Sequence, residues 1–418
     1  MDWLLAALAL FNLVSMFTVF TPRAVPKRAV PWATFGAALL ATELAWIWLP
    51  LQMLLAVLFS LAGALDSTLG NLALVVLLLT WPGLAWSIIQ GSRAGAEAEK
   101  ALVSYLGPRY REAIPEVRRQ QLRSKASFSD WCNPWQMKRP GVEVLRDIPY
   151  AAGGIRQQLD IYRPAHIPEG GCPVVLQIHG GAWMIGDKGQ QALPLMYLLA
   201  SRGWICVAAN YRLSPSVSFP THLEDCKRAL CWIRENGADY GMDTDFVAVT
   251  GGSAGGHLAA LMGLTANRAE LQPDHPQTDT SVQAAIPFYG VYDFLVRYDQ
   301  HPNRGVVEDF LTNRVLHETL EDNPELWDLA SPVAQIHENA PPFMVLHGEL
   351  DSLAAVNDGR VFAHKLREVS ANPVVYLEMP GAEHAWEIVH SYRTEKTIDG
   401  VHRFLEWELA RHRSRAEA

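Results

Sequence analysis

Cysteine is scarce in this chain: five among 418 residues, at positions 132, 172, 206, 226 and 231, with no Cys-x-x-Cys pair. The odd count and scattered spacing argue against a disulfide framework or a zinc site. Cys206 and Cys226 fall on apolar faces and read as packing residues. Basic charge is also short. With 35 Lys and Arg against 44 Asp and Glu, the formal charge is −9, which gives no reason to expect nucleic acid as a partner. There is no phosphate-binding loop and no internal repeat. The most local scarcity is of charge itself. Trp3 to Phe20 and Asn71 to Ile89 carry none, and Phe35 to Leu65 carries Glu43 alone.

A bilayer core needs about 20 apolar helical residues. The first and last of these stretches each fit one span. Phe35 to Leu65, interrupted by Pro50, is long for one upright span and short for two, and is read as one tilted or kinked helix. Residues 1–92 are therefore expected to form a transmembrane module of about three helices. A cleaved signal peptide fits the first stretch poorly, because basic Arg23, Lys27 and Arg28 follow it instead of preceding it. The same three residues, in a loop without acids, place the amino terminus outside and the following domain in the cytoplasm if there are three spans; a two-span hairpin at Phe35 to Leu65 reverses the side. Glu43 is expected near an interface or paired within the bundle.

Beyond residue 140 the pattern changes to short apolar runs alternating with amphipathic helices. Leu159 to Tyr162, Val174 to Ile178, Trp204 to Ala209, Phe246 to Thr250, Ala284 to Gly290, Phe343 to Leu346 and Val374 to Met379 read as strands. Phe219 to Arg234 reads as a helix with Leu223, Cys226, Ala229, Leu230 and Ile233 on one face. That alternation predicts a mostly parallel sheet covered on both faces, with loops at the carboxyl ends of the strands carrying the chemistry.

Three of those loops stand out. Gly251-Gly252-Ser253-Ala254-Gly255 joins a strand to a helix-forming stretch. This is a G-x-S-x-G elbow, in which the serine hydroxyl is forced out of the sheet and the helix N-terminus offers free N–H groups to a developing oxyanion. His179-Gly180-Gly181-Ala182-Trp183 follows another strand, and its glycines let backbone N–H groups approach a substrate closely. The oxyanion hole is assigned to Gly180, Gly181 and Ala254, and His179 to pinning the loop. Downstream, the loops after two late strands carry Asp351 and His384. A nucleophilic serine needs a base, and that imidazole needs an orienting carboxylate. Ser253, Asp351 and His384 stand in the chain order this arrangement requires. Glu349 is the rival acid; Asp351, deeper in its turn, is preferred. Of the other histidines, His347 reads as structural, His257 as a local cap or packing residue, and His364, His390 and His402 lie in helical stretches.

Taken together, these motifs and Asn210-Tyr211-Arg212-Leu213-Ser214-Pro215 resemble the α/β-hydrolases of the hormone-sensitive-lipase and carboxylesterase group, over roughly residues 140–412. Two departures are present. Gly252 stands where the family often has Asp, and Ala182-Trp183 where it often has a third glycine. Both look closer to membrane-linked, feruloyl-esterase-like and kynurenine-formamidase-like enzymes of the same fold. The expected domains are the transmembrane module at 1–92, a helical linker or cap at 93–140 and the catalytic domain at 141–412, with 291–335 as an insertion packed over the site. The resemblance implies a small-molecule or lipid ester substrate cleaved through an acyl-enzyme, with no metal or organic cofactor. Two other readings stay open: an amidase or formamidase using the same triad, and an inactive hydrolase domain serving as a membrane scaffold.

Overall fold

The structure is a computed structural model that describes residues 1–20, 31–123, 126–298 and 304–417. Arg23, Lys27 and Arg28, which orient the expected spans, lie outside the described residues, as does Asn303 of the insertion. The chain begins with helices α1 (Asp2–Phe20), α2 (Pro31–Glu43), α3 (Ala45–Leu61) and α4 (Thr68–Leu106). Two short helices follow, α5 (Glu116–Arg119) and α6 (Phe128–Trp131). Strands β1 (Val142–Pro149), β2 (Gln158–Pro164) and β3 (Cys172–Ile178) come next. Then follow α7 (Leu193–Ala200), β4 (Ile205–Ala209), α8 (Thr221–Asn236), β5 (Met242–Gly252), α9 (Ala254–Leu264) and β6 (Ala284–Phe288). The insertion holds α10 (Arg304–Leu311) and α11 (Pro324–Leu329). The chain closes with β7 (Phe343–Gly348), α12 (Val356–Val369), β8 (Val374–Met379) and α13 (Tyr392–Ala416).

The eight strands form one sheet in the order β1-β2-β4-β3-β5-β6-β7-β8. Pairing is parallel from β4 onward, and β1, β2 and β4 pair antiparallel. Side-chain alternation divides the core. Val174, Leu176 and Ile178 of β3 join Leu223, Leu230 and Leu258 on one face. Val175 joins Trp204, Phe404 and Leu405 on the other, together with Ala98 and Leu102 of α4. Helix α4 thus runs unbroken across residue 92, and its carboxyl half is part of the hydrolase core. Residues 107–123 and 126–140 run along α13: Arg118 reaches Glu406 at 2.6 Å and Arg123 reaches Asp399 at 2.7 Å.

Helices α1 and α4 are each long and apolar enough to cross a membrane. The stretch from Phe35 to Leu61 is not a tilted rod; it bends by 91° at Leu44. The cause lies far away in sequence. Glu43 ends α2 by pairing with Arg393 and accepting from Ser391 Oγ at 2.7 Å, both at the start of α13. Inside the helical module a polar chain links three helices. Asn12 Nδ2 donates to Thr80 Oγ1 at 2.6 Å, Gln52 Nε2 to Asn12 Oδ1 at 3.1 Å and Trp81 Nε1 to Gln52 Oε1 at 3.0 Å. The outward faces are apolar: Leu79 is 74% and Leu61 82% exposed.

Candidate active site

Ser253 sits between β5 and α9 at φ 59° and ψ −121°, a conformation costly for any residue with a Cβ. Glycines make it possible. A Cβ on Gly255 would stand 2.1 Å from Ile178 O, and one on Gly251 2.4 Å from Gly255 O. The Ser253 amide donates to Phe288 O at 3.0 Å, which fixes the elbow to the end of β6. The departure at Gly252 has a steric reason, since a Cβ there would lie 2.5 Å from the Tyr289 hydroxyl. The Tyr289 ring in turn packs 4.4 Å from the His384 imidazole, so one side chain spans the serine turn and the histidine loop.

His384 Nδ1 lies 2.8 Å from Asp351 Oδ2. Asp351 Oδ1 accepts from the amides of Leu353 and Ala354 at 2.9 and 2.7 Å, and His347 Nε2 approaches Oδ2 at 3.3 Å. Burial disfavours the Asp351 carboxylate, but His384 and His347 outweigh it and hold its pKa well below the ordinary carboxylate range. For His384, burial works against the cation, and Asp351, then Glu383 and Glu387, more than offset this and raise its pKa. Two further acids crowd the ring. Burial, reinforced by the Asp351 charge, raises Glu383 to about 7. Burial raises Glu387 to about 7 as well, where it accepts from Tyr289 Oη. Glu383 Oε1 accepts from the His384 amide and from both Ser352 N and Oγ, each at 2.8 Å. The histidine loop is therefore strapped to the aspartate loop.

The rivals have other tasks. Glu349 Oε2 accepts from the Gly381 amide at 2.8 Å and makes no contact with His384 among the described residues. His257 accepts from Trp183 Nε1 at 3.2 Å and sits 2.7 Å from Ala330 O; burial lowers its pKa to about 3. His179 stacks on Tyr211 at 4.4 Å with Nδ1 2.7 Å from Gly180 O, and burial lowers its pKa to about 4. Both imidazoles are neutral braces of the loops. His390 pairs with Glu395 and His402 with Glu406, while His364 is exposed beside Glu368. The insertion covers this region from above the α9 start: Phe294 stacks on His257 at 4.8 Å and meets Trp183 edge-on at 5.4 Å.

The oxyanion loop differs from the expectation at one donor. The Gly180 amide is already engaged, donating to Gln191 Oε1 at 2.6 Å. The turn that follows has positive φ at Gly181 (116°), Ala182 (53°) and Trp183 (60°). The amides of Gly181 and Ala182 have no acceptor among the described residues. Ala254 is the first residue of α9, where an amide has no intrahelical acceptor. Sequence reasoning missed Ala182 and Gln191; a glycine pattern draws attention to glycines, and nothing local marks a glutamine eleven residues on.

Comparison with known proteins agrees with this architecture. The BD-FAE family model matches residues 159–366. Esterase LipQ of Mycobacterium tuberculosis is 40% identical over 326 residues, 77% of this chain and 76% of that protein. The probable carboxylic ester hydrolase LipM of the same organism is 42% identical over 359 residues, 82% of each chain. Among solved structures, the bifunctional GH43-CE protein of Bacteroides eggerthii aligns with a TM-score of 0.55 at 28% identity, over 63% of this chain and 35% of that one. Esterase B of Lactobacillus rhamnosis aligns with a TM-score of 0.55 at 22% identity, over 78% of this chain and 99% of that one, a likeness of fold. The chain belongs to this family of carboxylic ester hydrolases, α/β-hydrolases of the hormone-sensitive-lipase and carboxylesterase type.

Proposed function

We propose that the protein is a membrane-anchored serine hydrolase that cleaves lipophilic carboxylic esters with short-to-medium acyl groups. The observation that carries the reading is the His384–Asp351 pair at 2.8 Å, joined through Tyr289 to a serine held at an elbow geometry. In this reading Ser253 Oγ attacks the acyl carbonyl carbon while His384 Nε2 takes its proton. Asp351 fixes the tautomer and stabilises the imidazolium. The carbonyl oxygen becomes an oxyanion received by the amides of Gly181, Ala182 and Ala254. Each such donor contributes roughly 3–4 kcal/mol in comparable sites. His384 then protonates the departing alcohol, and water, deprotonated by the same imidazole, releases the acid and restores the serine.

Two features support a substrate drawn from a bilayer. Phe35 of α2 meets the His384 ring edge-on at 6.3 Å. Leu350, beside the aspartate, packs against the cluster that contains Met16, Ala38 and Leu84. The apolar module thus reaches the catalytic loops, and an ester dissolved in the membrane meets the site without crossing water. Hydrolysis of a p-nitrophenyl ester series tests this. The expected profile rises from acetate toward medium chains, and Phe35→Ala moves its maximum. A profile confined to acetate, unchanged by Phe35→Ala, contradicts the lipophilic substrate.

A further inference from the structure

A second site lies at the junction of the helical module and the hydrolase domain, and the proposed mechanism does not use it. It is a cavity of about 190 Å³ between the α2–α3 break, α4, Trp131 of α6 and the start of α13. Sites that engulf a whole ligand hold about 300–1,000 Å³. This one has room for part of a molecule whose remainder lies outside.

Most of the polar groups in its walls are already engaged: Thr42 Oγ1 donates to Ala38 O, Ser92 Oγ to Ile89 O and Ser391 Oγ to Glu43. Glu43 and Arg393 line it, but they pair with each other, and both are buried. With that charge neutralised, an anion has no net attraction to the cavity. Two further polar groups are Trp46 Nε1 and Ser87 Oγ. Both atoms are buried, both residues line the cavity, and neither atom has a hydrogen-bond partner among the described residues. Ser87 has no solvent exposure at all. A hydroxyl on a helix ordinarily donates to the carbonyl four residues back, as Thr80 does to Val76 O at 2.9 Å; Ser87 does not. An unmade hydrogen bond of this kind destabilises the fold. Two such donors, on residues that line one small cavity and covered until a side chain turns, fit a neutral oxygen acceptor.

The surroundings say where that acceptor comes from. Trp46 packs edge-on against Trp131 at 4.8 Å and Trp131 against Tyr392 at 5.9 Å; Phe128, edge-on to both tryptophans, is exposed, as is Trp135 four residues past Trp131. A belt of Trp and Tyr at the end of apolar helices marks the level of a membrane–water interface. The neutral acceptors abundant at that depth are the glycerol-ester carbonyls of lipids, whose acyl chains continue into the bilayer beside the exposed face of α4. We propose that this cavity binds a membrane glycerolipid by its ester carbonyl, which accepts from Trp46 Nε1 and Ser87 Oγ. The inference rests on the membrane anchoring proposed above. The site is also linked to the catalytic loop: Arg393 Nε donates to Pro380 O at 3.1 Å, four residues before His384.

The test uses the full chain carrying Ser253→Ala, to prevent turnover, in detergent after delipidation. Dioleoylphosphatidylcholine and its di-O-alkyl ether analogue, which lacks the carbonyls, are added separately, and retained lipid is counted by native mass spectrometry. The expected result is retention of the ester lipid at about tenfold lower concentration than the ether lipid, the effect of one or two hydrogen bonds. Trp46→Phe, which keeps the ring and removes the N–H, and Ser87→Ala should each reduce that preference. Equal retention of both lipids, or a preference that survives both substitutions, overturns the proposal. Failure of the anchoring itself would show separately, as release of the protein from cell membranes by alkaline carbonate.

Discussion

The Glu43–Arg393 pair offers a quantitative test of how the helical module is joined to the hydrolase domain. The two side chains are 0% and 1% exposed and come from positions 350 residues apart. Removing one partner of a buried pair strands the other charge and costs about 3–5 kcal/mol. Arg393→Met leaves the Glu43 carboxylate with only the neutral hydroxyls of Ser391 and Thr42; Glu43→Met leaves a buried guanidinium. The double variant strands neither charge. Its loss is the Arg393 hydrogen bonds to Pro380 O and Ser87 O and the Ser391 bond to Glu43, roughly 2–3 kcal/mol together. At about 2 °C per kcal/mol for a domain of this size, each single variant should melt roughly 6–10 °C lower, and the double variant about 4–6 °C lower, well short of the sum of the two. The assay is thermal unfolding of the full chain in detergent at neutral pH, followed by tryptophan fluorescence. Single losses that simply add in the double variant would refute the reasoning, because the interaction energy of the cycle would then be zero.

Other expectations concern the site. The acid limb of kcat/KM should lie above the ordinary histidine value of about 6.5, because the raised pKa keeps His384 protonated, and therefore inactive as a base, to higher pH. Glu383→Gln keeps the Oε1 acceptor and removes a charge that favours the imidazolium, so the limb should move to lower pH; a pH–rate profile that stays in place or moves up counts against this. Gly252→Asp, which restores the residue common in the family, should lower kcat by at least about tenfold, because its Cβ would meet the Tyr289 hydroxyl at 2.5 Å; full activity would mean Tyr289 yields freely. Gln191→Ala should lower kcat with little change in KM, because it frees the Gly180 amide and loosens the oxyanion loop. A rise in KM alone would place Gln191 in substrate binding instead.

Much of the catalytic domain is legible in the sequence for physical reasons. A serine at φ 59° needs small neighbours, so the elbow announces itself as glycines between an apolar run and a helix. The central strands are buried on both faces and read as short apolar runs; β3 and β4 are buried at every position. Strand β1 escapes the same reading. It is half-exposed, and its register shifts between Leu145 and Ile148, which breaks the alternation that marks a surface strand. The break at Leu44 is only partly legible: Pro50 suggests a kink, but a 91° bend beside a glutamate whose partner is an arginine 350 residues later has no local signal. Glu43, read from the sequence as near an interface or paired within the bundle, has its partner in the hydrolase domain. Tyr289 and Glu387, which close around His384, stand 98 residues apart and meet only through the fold.

The central claim is that Ser253 is an activated nucleophile. Labelling of the membrane fraction with a fluorophosphonate probe tests it most directly, beside a Ser253→Ala control. The account predicts labelling of the full-length chain that vanishes in the control and weakens strongly in His384→Ala. Folded protein that takes up no probe, or labelling that persists in Ser253→Ala, would contradict it.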